Sequence, residues 1–375
     1  MAGLRDLATS IPTIGQNRSN PEPGGIRPVT SKAKYRIGID IGSNAIKLVS
    51  YHLKKKSELS RLALIDLVKE ERVQHPDEVD ETHLMSVVHE LLQELPYKKA
   101  SIRICLTATM NNVFIIPMPQ VAEHELKQAL FWELGPLLPK PVKNYEYDYR
   151  IFRQDSKKKR IVVLVGVYLR ERLERILKVF SGLGKDVDIL ETDALSALDL
   201  YLTTAGEIEE SIGFLQLGAA HSQYTILIPG HNPGFLFITF GGNTLNELIM
   251  KQKGISFLTA ESLRRNEDGE VSIKSSQQSA IYKNPGFRDT LQRFANTIIR
   301  FNIHHQKKTG QTVNKIVVTG GLLNDHFIAR TLQQDSNFFQ VPCEFWDPIG
   351  SFFPEELFEP HQAYHFASAL SLALR

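Results

Sequence analysis

The same three-strand pattern is written twice in this chain, and that repetition limits the folds open to it more than any other feature. The first copy runs YRIGIDIG, AIKLVSYHL and SRLALIDLVKEE from Tyr35; the second runs SIGFLQLGAA, SQYTILIPG and GFLFITFGGN, with its cycle starting at Ile212. In each, short aliphatic and β-branched runs are separated by turn residues, as in a β-meander. A glycine turn follows the first strand of both copies, at Gly42 and at Gly218. A third run, KIVVTGGLLND, leads a strand into Gly320-Gly321. With 375 residues there is room for two lobes with separate cores, because single cores stop growing beyond roughly 300 residues.

Helical spacing fills the intervals. Asp80 to Leu95 places Leu84, Val87, Val88, Leu91 and Leu92 on one face, with Asp80 or Thr82 as the cap. SIRICLTAT returns to strand. Residues 116–186 read as an inserted α/β unit: a helix over Val121 to Leu134, an extended aromatic strand ending in YEYDYRIF, the buried strand RIVVLVGVYL, and a helix over Arg170 to Leu183. Asp193 to Thr203 predicts a helix bridging two lobes. Further helices are expected around Thr244 to Gln252, Thr259 to Arg265 and Phe287 to Lys307, with an apolar terminal helix over Tyr364 to Leu374. Residues 11–33, rich in Pro, Gly, Ser and Asn and without a period, predict a flexible leader.

Composition excludes several classes of function. A net charge of +2 gives no field strong enough to hold nucleic acid. The short basic clusters at Lys54 to Lys56 and Lys157 to Arg160 read as solvated turns, with contact to anionic lipid or a partner as the alternative. Cys105 and Cys343 lie in apolar strands without paired spacing, which predicts buried thiols rather than a disulfide or metal site. The apolar run Ile161 to Leu169 is too short to span a bilayer. MAGLRDLATS lacks the basic and apolar regions of a secretory signal, so a cytoplasmic location is expected.

Within the repeat, IGIDIGSNAIK at residues 37–47 carries phosphate-binding chemistry. A strand delivers Asp40 to its C-terminal end, where a carboxylate can hold water around Mg²⁺. Gly42 lets the backbone approach an anion without a Cβ. The N–H groups of Gly42, Ser43 and Asn44 are expected to point outward at a helix start, and Lys47, one turn into that helix, supplies a mobile positive charge. A turn of this kind is also common in plain hairpins, so it needs partners elsewhere in the chain.

Three glycine loops in this order and at these separations resemble the actin-like ATPase superfamily, over nearly all of the chain after residue 34. The resemblance implies an α/β fold of duplicated actin/ribonuclease-H-like domains, with Asp40 to Lys47 as the first phosphate loop, Gln216 to Ser222 as the second and Thr319 to Leu323 as the adenosine loop. It also implies ATP and Mg²⁺ as ligands: Asp40 on the metal through water, Gly42, Ser43 and Asn44 on the phosphates, and Lys47 neutralising charge. Gly218 and Ala219 would form the opposing cradle, Glu261 and Arg264 of TAESLRR would hold ribose and adenine, and Gly320, Gly321 and Leu322 would lie against the adenosine. Arginine replaces the usual lysine of that pair. Gln216 stands where relatives usually present a second carboxylate; glutamine supplies no charge for Mg²⁺, so slow or absent hydrolysis is expected.

Within the superfamily the chain is most similar to the PilM family of type IV pilus assembly, with an FtsA-like architecture. The residues that carry this are IDIGSNAIKLV, the position of the insert, Glu133, Leu138, Pro139, Asp148 and Tyr149 within ELKQALFWELGPLLPKPVKNYEYDYRIF, and the ending AYHFASALSLALR. That likeness implies a first domain over 34–115 completed by a helix over 361–375, the insert over 116–186, a connector over 187–209, and a second domain over 210–360 whose nucleotide-side subdomain is 243–312. It implies a cytoplasmic scaffold that binds the N-terminal peptide of a PilN-like inner-membrane protein, meets other pilus assembly proteins and can self-associate. Two alternatives stand beside it. A sugar or metabolite kinase would need a base, for which Asp193 is the candidate, and a sugar-binding cluster that is not evident. An FtsA-like filament would be expected to continue past its last core helix into an amphipathic anchor.

Overall fold

The computed structural model describes residues 33–54, 59–67, 81–93, 95, 100–108, 110, 112–265, 285–334, 338–353 and 363–375. The leader expected over 11–33 lies outside these apart from Ala33, as do residues 1–10, Lys55, Lys56 and the proposed Asp80 cap.

The repeat read from the sequence becomes two five-stranded sheets of the same order. In the first half, β1 (Tyr35–Ile41), β2 (Ala45–His52) and β3 (Leu59–Asp66) form the antiparallel meander. On the other side of β1, β4 (Ala100–Leu106) and β8 (Ile189–Thr192) add in parallel, giving the order β3-β2-β1-β4-β8. The second half repeats this with β9 (Ile212–Leu217), β10 (Ser222–Leu227), β11 (Gly234–Ile238), β12 (Lys315–Thr319) and β13 (Cys343–Phe345) in the order β11-β10-β9-β12-β13. The central strands β1 and β9 are nearly continuous in buried residues because both of their faces are covered.

The helices are α1 (Glu81–Gln93), α2 (Glu123–Leu134), α3 (Arg170–Gly182), α4 (Asp193–Ala205), α5 (Gly242–Lys253), α6 (Phe257–Arg265), α7 (Pro285–Thr309), α8 (His326–Gln334) and α9 (Ala367–Leu374). One core lies between the halves. Leu195 and Leu198 of α4 and Leu370 and Ala373 of α9 pack in it with Val49 of β2 and with Phe214 and Val317 of the second sheet. Strand alternation explains how α9 fits: Ile37, Ile39 and Ile41 face the outer core with α1 and α3, which leaves Gly38 and Asp40 on the α9 side. A Cβ on Gly38 would overlap the Ala369 carbonyl and approach the Ala373 nitrogen to 2.8 Å, so glycine lets α9 lie directly on β1.

The insert forms its own sheet, β5-β7-β6, from β5 (Val113–Pro119), β6 (Tyr145–Asp155) and β7 (Arg160–Leu169). Leu126, Leu130 and Leu134, at the i, i+4, i+8 spacing of one helix face, bury α2 against it. The helix expected to complete the insert, α3, packs elsewhere: Leu173, Ile176, Val179 and Phe180 join the outer core of the first sheet. The terminal helix starts later than expected, after a single 3-10 turn over Tyr364–Phe366.

Candidate nucleotide cleft

Three loops converge on a cleft between the halves. Its wall includes Asp40, Gly42, Ser43, Asn44 and Lys47 from the first loop, Gln216, Gly218 and Ala219 from the second, Gly320, Gly321 and Leu322 from the third, and Arg264 from α6. Of the site residues expected from sequence, only Glu261 is absent from that wall.

The first loop departs from expectation in one respect. No helix starts there; Lys47 lies in β2, in register with Asp40 across the β1–β2 hairpin. That register brings Lys47 Nζ to 3.1 Å from Asp40 Oδ2, a largely buried ion pair. Asp40 Oδ1 accepts from the Cys105 thiol of β4 at 3.5 Å. Burial, and next the Asp40 carboxylate, raise the Cys105 pKa well above its ordinary value, so the thiol remains a proton donor. The turn itself closes with Gly42 N–H donating to the Ala45 carbonyl at 3.1 Å. A Cβ at Gly42 would lie 2.7 Å from that carbonyl oxygen and 2.5 Å from Lys47 Nζ.

The second loop repeats the turn. Gly218 N–H donates to the His221 carbonyl at 3.1 Å, and a Cβ at Gly218 would sit 2.5 Å from that oxygen. Gln216 Nε2 donates to Ser368 Oγ of α9 at 3.2 Å, while Gln216 Oε1 is buried without a hydrogen-bond partner. The helix terminus absent from the first loop is supplied here by α5. Its first amides, at Gly242 and Asn243, donate to the carbonyls of Gly218 and Ala219 at 3.2 and 2.8 Å.

The third loop needs glycine for a conformational reason. Gly320 has φ +107°, outside the range that side chains tolerate, and a Cβ there would overlap the backbone of Leu217. Gly321 lies against the His365 ring, which also bonds Asn324. Burial, then the charges of Lys47 and Arg265, push the His365 pKa down to about 3, so this cleft residue is neutral at physiological pH.

The pair Glu261 and Arg264 is arranged differently from the expected ribose and adenine clamp. Arg264 donates from Nε to Asn246 at 2.8 Å and from Nη1 to Asp325 at 3.2 Å, and its Nη2 is 3.7 Å from Glu261. Glu261 is fully buried and pairs with Arg265 Nη2 at 2.7 Å. Their visible work is to fasten α6 to α5 and to the segment after the third loop. Arg264 presents an edge to the cleft with its guanidinium already committed.

Sequence reasoning missed His221. Its Nε2 lies 3.3 Å from Asp193 Oδ2 at the start of α4, its ring stacks on Phe237 at 4.7 Å, and both His221 and Asp193 line the cleft. A histidine just after the second glycine turn was the available signal, but its meaning depends on Asp193, which only the fold brings near.

The residues present fit a nucleoside triphosphate with Mg²⁺. Glycine cradles of matched shape face a common space, and the Asp40 carboxylate beside the Lys47 ammonium suits a metal held through water and phosphate oxygens. Among the described residues no group of three His, Cys, Asp or Glu could hold a metal by itself. No helix among them is long and apolar enough to cross a membrane.

Two sheets of one topology closing on an interlobe cleft define the actin-like ATPase fold, here with an insert after the first meander. The chain belongs to the type IV pilus assembly protein PilM family, whose model matches residues 38–375. Among solved structures it is similar to a PilM–PilN type IV pilus biogenesis complex at 21% identity and TM-score 0.72, covering 92% of this chain and 98% of that one. Weaker likenesses include the ethanolamine utilization protein EutJ from Carboxydothermus hydrogenoformans, at 15% identity and TM-score 0.49 with 93% and 92% covered. Another is a Bacteroides thetaiotaomicron protein with an actin-like ATPase fold and unknown function, at 10% identity and TM-score 0.46 with 92% and 99% covered. No curated protein sequence matches the chain.

Proposed function

We propose that this protein is a cytoplasmic, ATP-loaded scaffold of type IV pilus assembly that holds the N-terminal peptide of a PilN-like inner-membrane protein. The observation that carries the nucleotide half of this reading is the convergence of Gly42, Gly218 and Gly320 on one cleft beside the Asp40–Lys47 pair. Asp40 would hold Mg²⁺ through water, Lys47 would move from Asp40 onto the phosphates, and the glycine turns would supply close backbone approach. Support for the partner is family membership together with the likeness to a PilM–PilN complex. A place at the membrane periphery follows from that partner.

Hydrolysis in this reading is slow or absent. Gln216 brings no charge to the metal side, and its amide is bonded to Ser368. The Asp193–His221 pair is the arrangement best able to take a proton from water in the cleft, but Asp193 Oδ2 is already shared with the Ala108 amide at 3.3 Å. Calorimetric titration with ATP and Mg²⁺, repeated with Asp40→Ala, tests the site; loss of binding in the variant is expected, and equal binding would overturn the assignment. Pull-down with the partner's N-terminal peptide, with and without ATP, tests the scaffold role. Capture only in the loaded state is the expected result.

A further inference from the structure

The halves are bridged in two ways. Some polar bridges run through the crossing helices: Gln216 to Ser368 of α9, and His221 to Asp193 of α4. Others join the halves with neither helix involved. Arg265 reaches Asp66 at 3.5 Å, and Asn44 exchanges a reciprocal pair of hydrogen bonds with Asn243, at 2.7 Å and 3.0 Å. Bridges of this second kind have to break whenever the halves part.

The asparagine pair has an unusual position. Asn44 ends the first phosphate loop and is only 2% exposed. Asn243 sits in the first turn of α5, and its own amide holds Ala219 of the second loop at 2.8 Å. Its backbone is therefore tied to one loop and its side chain to the other. Two planar amides that each donate and accept close a ring that is satisfied at one separation. The Asn44 carbonyl is fixed as well, accepting from the Leu67 amide at 2.8 Å.

We propose that Asn243 is a positioning residue that sets the gap between the two phosphate loops and must release Asn44 each time a nucleoside triphosphate enters or leaves. This rests on the nucleotide reading of the cleft. Asn243 is not among the residues lining that space, so it acts through Asn44 rather than on the ligand. The consequence is kinetic. A clasp that is closed in both the empty and the loaded protein slows entry and departure alike, and barely changes affinity. A residue that grips the ligand slows departure alone.

The test uses the full chain, a fluorescent ATP analogue in stopped flow, and Asn243→Ala. Association and release should both accelerate about tenfold, the worth of the lost amide pair, while Kd moves less than about threefold. Amide hydrogen exchange in the ligand-free variant provides a readout independent of nucleotide, and faster exchange over residues 40–47 and 216–222 is expected. Rates equal to those of the parent protein overturn the proposal and leave the nucleotide site standing, as does a variant that merely melts at lower temperature with unchanged rates. Failure of the parent protein itself to bind the analogue defeats the proposed function and this inference with it.

Discussion

The first and second loops are one turn built twice, with the charge removed from the second copy. Asp40 and Gln216 are each the next-to-last residue of a central strand, and the ladder sets Asp40 opposite Lys47 and Gln216 opposite Gln223. Each turn closes from a glycine N–H to a carbonyl three residues on, at 3.1 Å in both. Where one half has an ion pair, the other has two glutamines in register that bond elsewhere, Gln216 to Ser368 and Gln223 to His221. Backbone shape and side-chain charge were separable in this duplication: the same glycine turn is present in both copies, and the carboxylate–ammonium pair in only one.

Four measurements test how far the two halves differ. Asp40→Ala should cost about 100-fold in ATP affinity, because it removes the carboxylate that would hold the metal, whereas Gln216→Ala should cost less than about threefold; equal losses in titration would show that the loops are chemically equivalent. Gly42→Ala and Gly218→Ala should each destabilise by about 2 kcal/mol, since both new methyl groups meet a carbonyl oxygen, and a large inequality in denaturant melts would mean that the turns differ in stiffness. Gln216→Asp should restore charge symmetry and raise Mg²⁺-dependent phosphate release about tenfold in a coupled assay.

The smallest effect concerns the outer strands. On β8, Glu191 is buried, accepts from Ser196 and pairs with Arg375, which also reaches Asp199 at 2.8 Å; on β13, Glu344 is exposed and pairs with Lys315 at 3.0 Å. Burial raises the Asp199 pKa to about 7, with Arg375 opposing and Glu191 reinforcing the shift. A carboxyl with a raised folded-state pKa holds its proton more tightly when folded, so its contribution to stability falls as pH rises from about 4 to about 7 and is flat above. Asp199→Asn should flatten the melting temperature across that window, and a parallel slope in parent and variant would assign the titration elsewhere.

Much of this was legible because glycine and hydrophobic alternation are local signals. The meanders, the three loops and the buried β7 follow from runs whose period and punctuation lie within ten residues or so of each other. What was not legible depended on distance. Ala45-Ile46-Lys47 reads both as the opening of the strand AIKLVSYHL and as the first turn of a helix, and pairing with β3 on one side and β1 on the other decides for strand. The outer strands β8 and β13, four and three residues long, are too short to show a period. TAESLRR reads as a charged pair able to hold ribose and adenine, and only the approach of Asn246 and Asp325 commits Arg264 to a buried fastening. Arg170 to Gly182 follows the insert's last strand in sequence, yet its apolar face finds the first sheet.

Because α9 lies on the inner face of β1 at Gly38, the first half of the molecule is completed by residues synthesised long after its own strands. A nascent chain can form the meander of β1 to β3 early, but that face stays uncovered until residues 367–374 have left the ribosome tunnel. Order of translation and order of assembly therefore run in different directions, and the Asp40 side of the cleft is completed only after the whole second half has emerged.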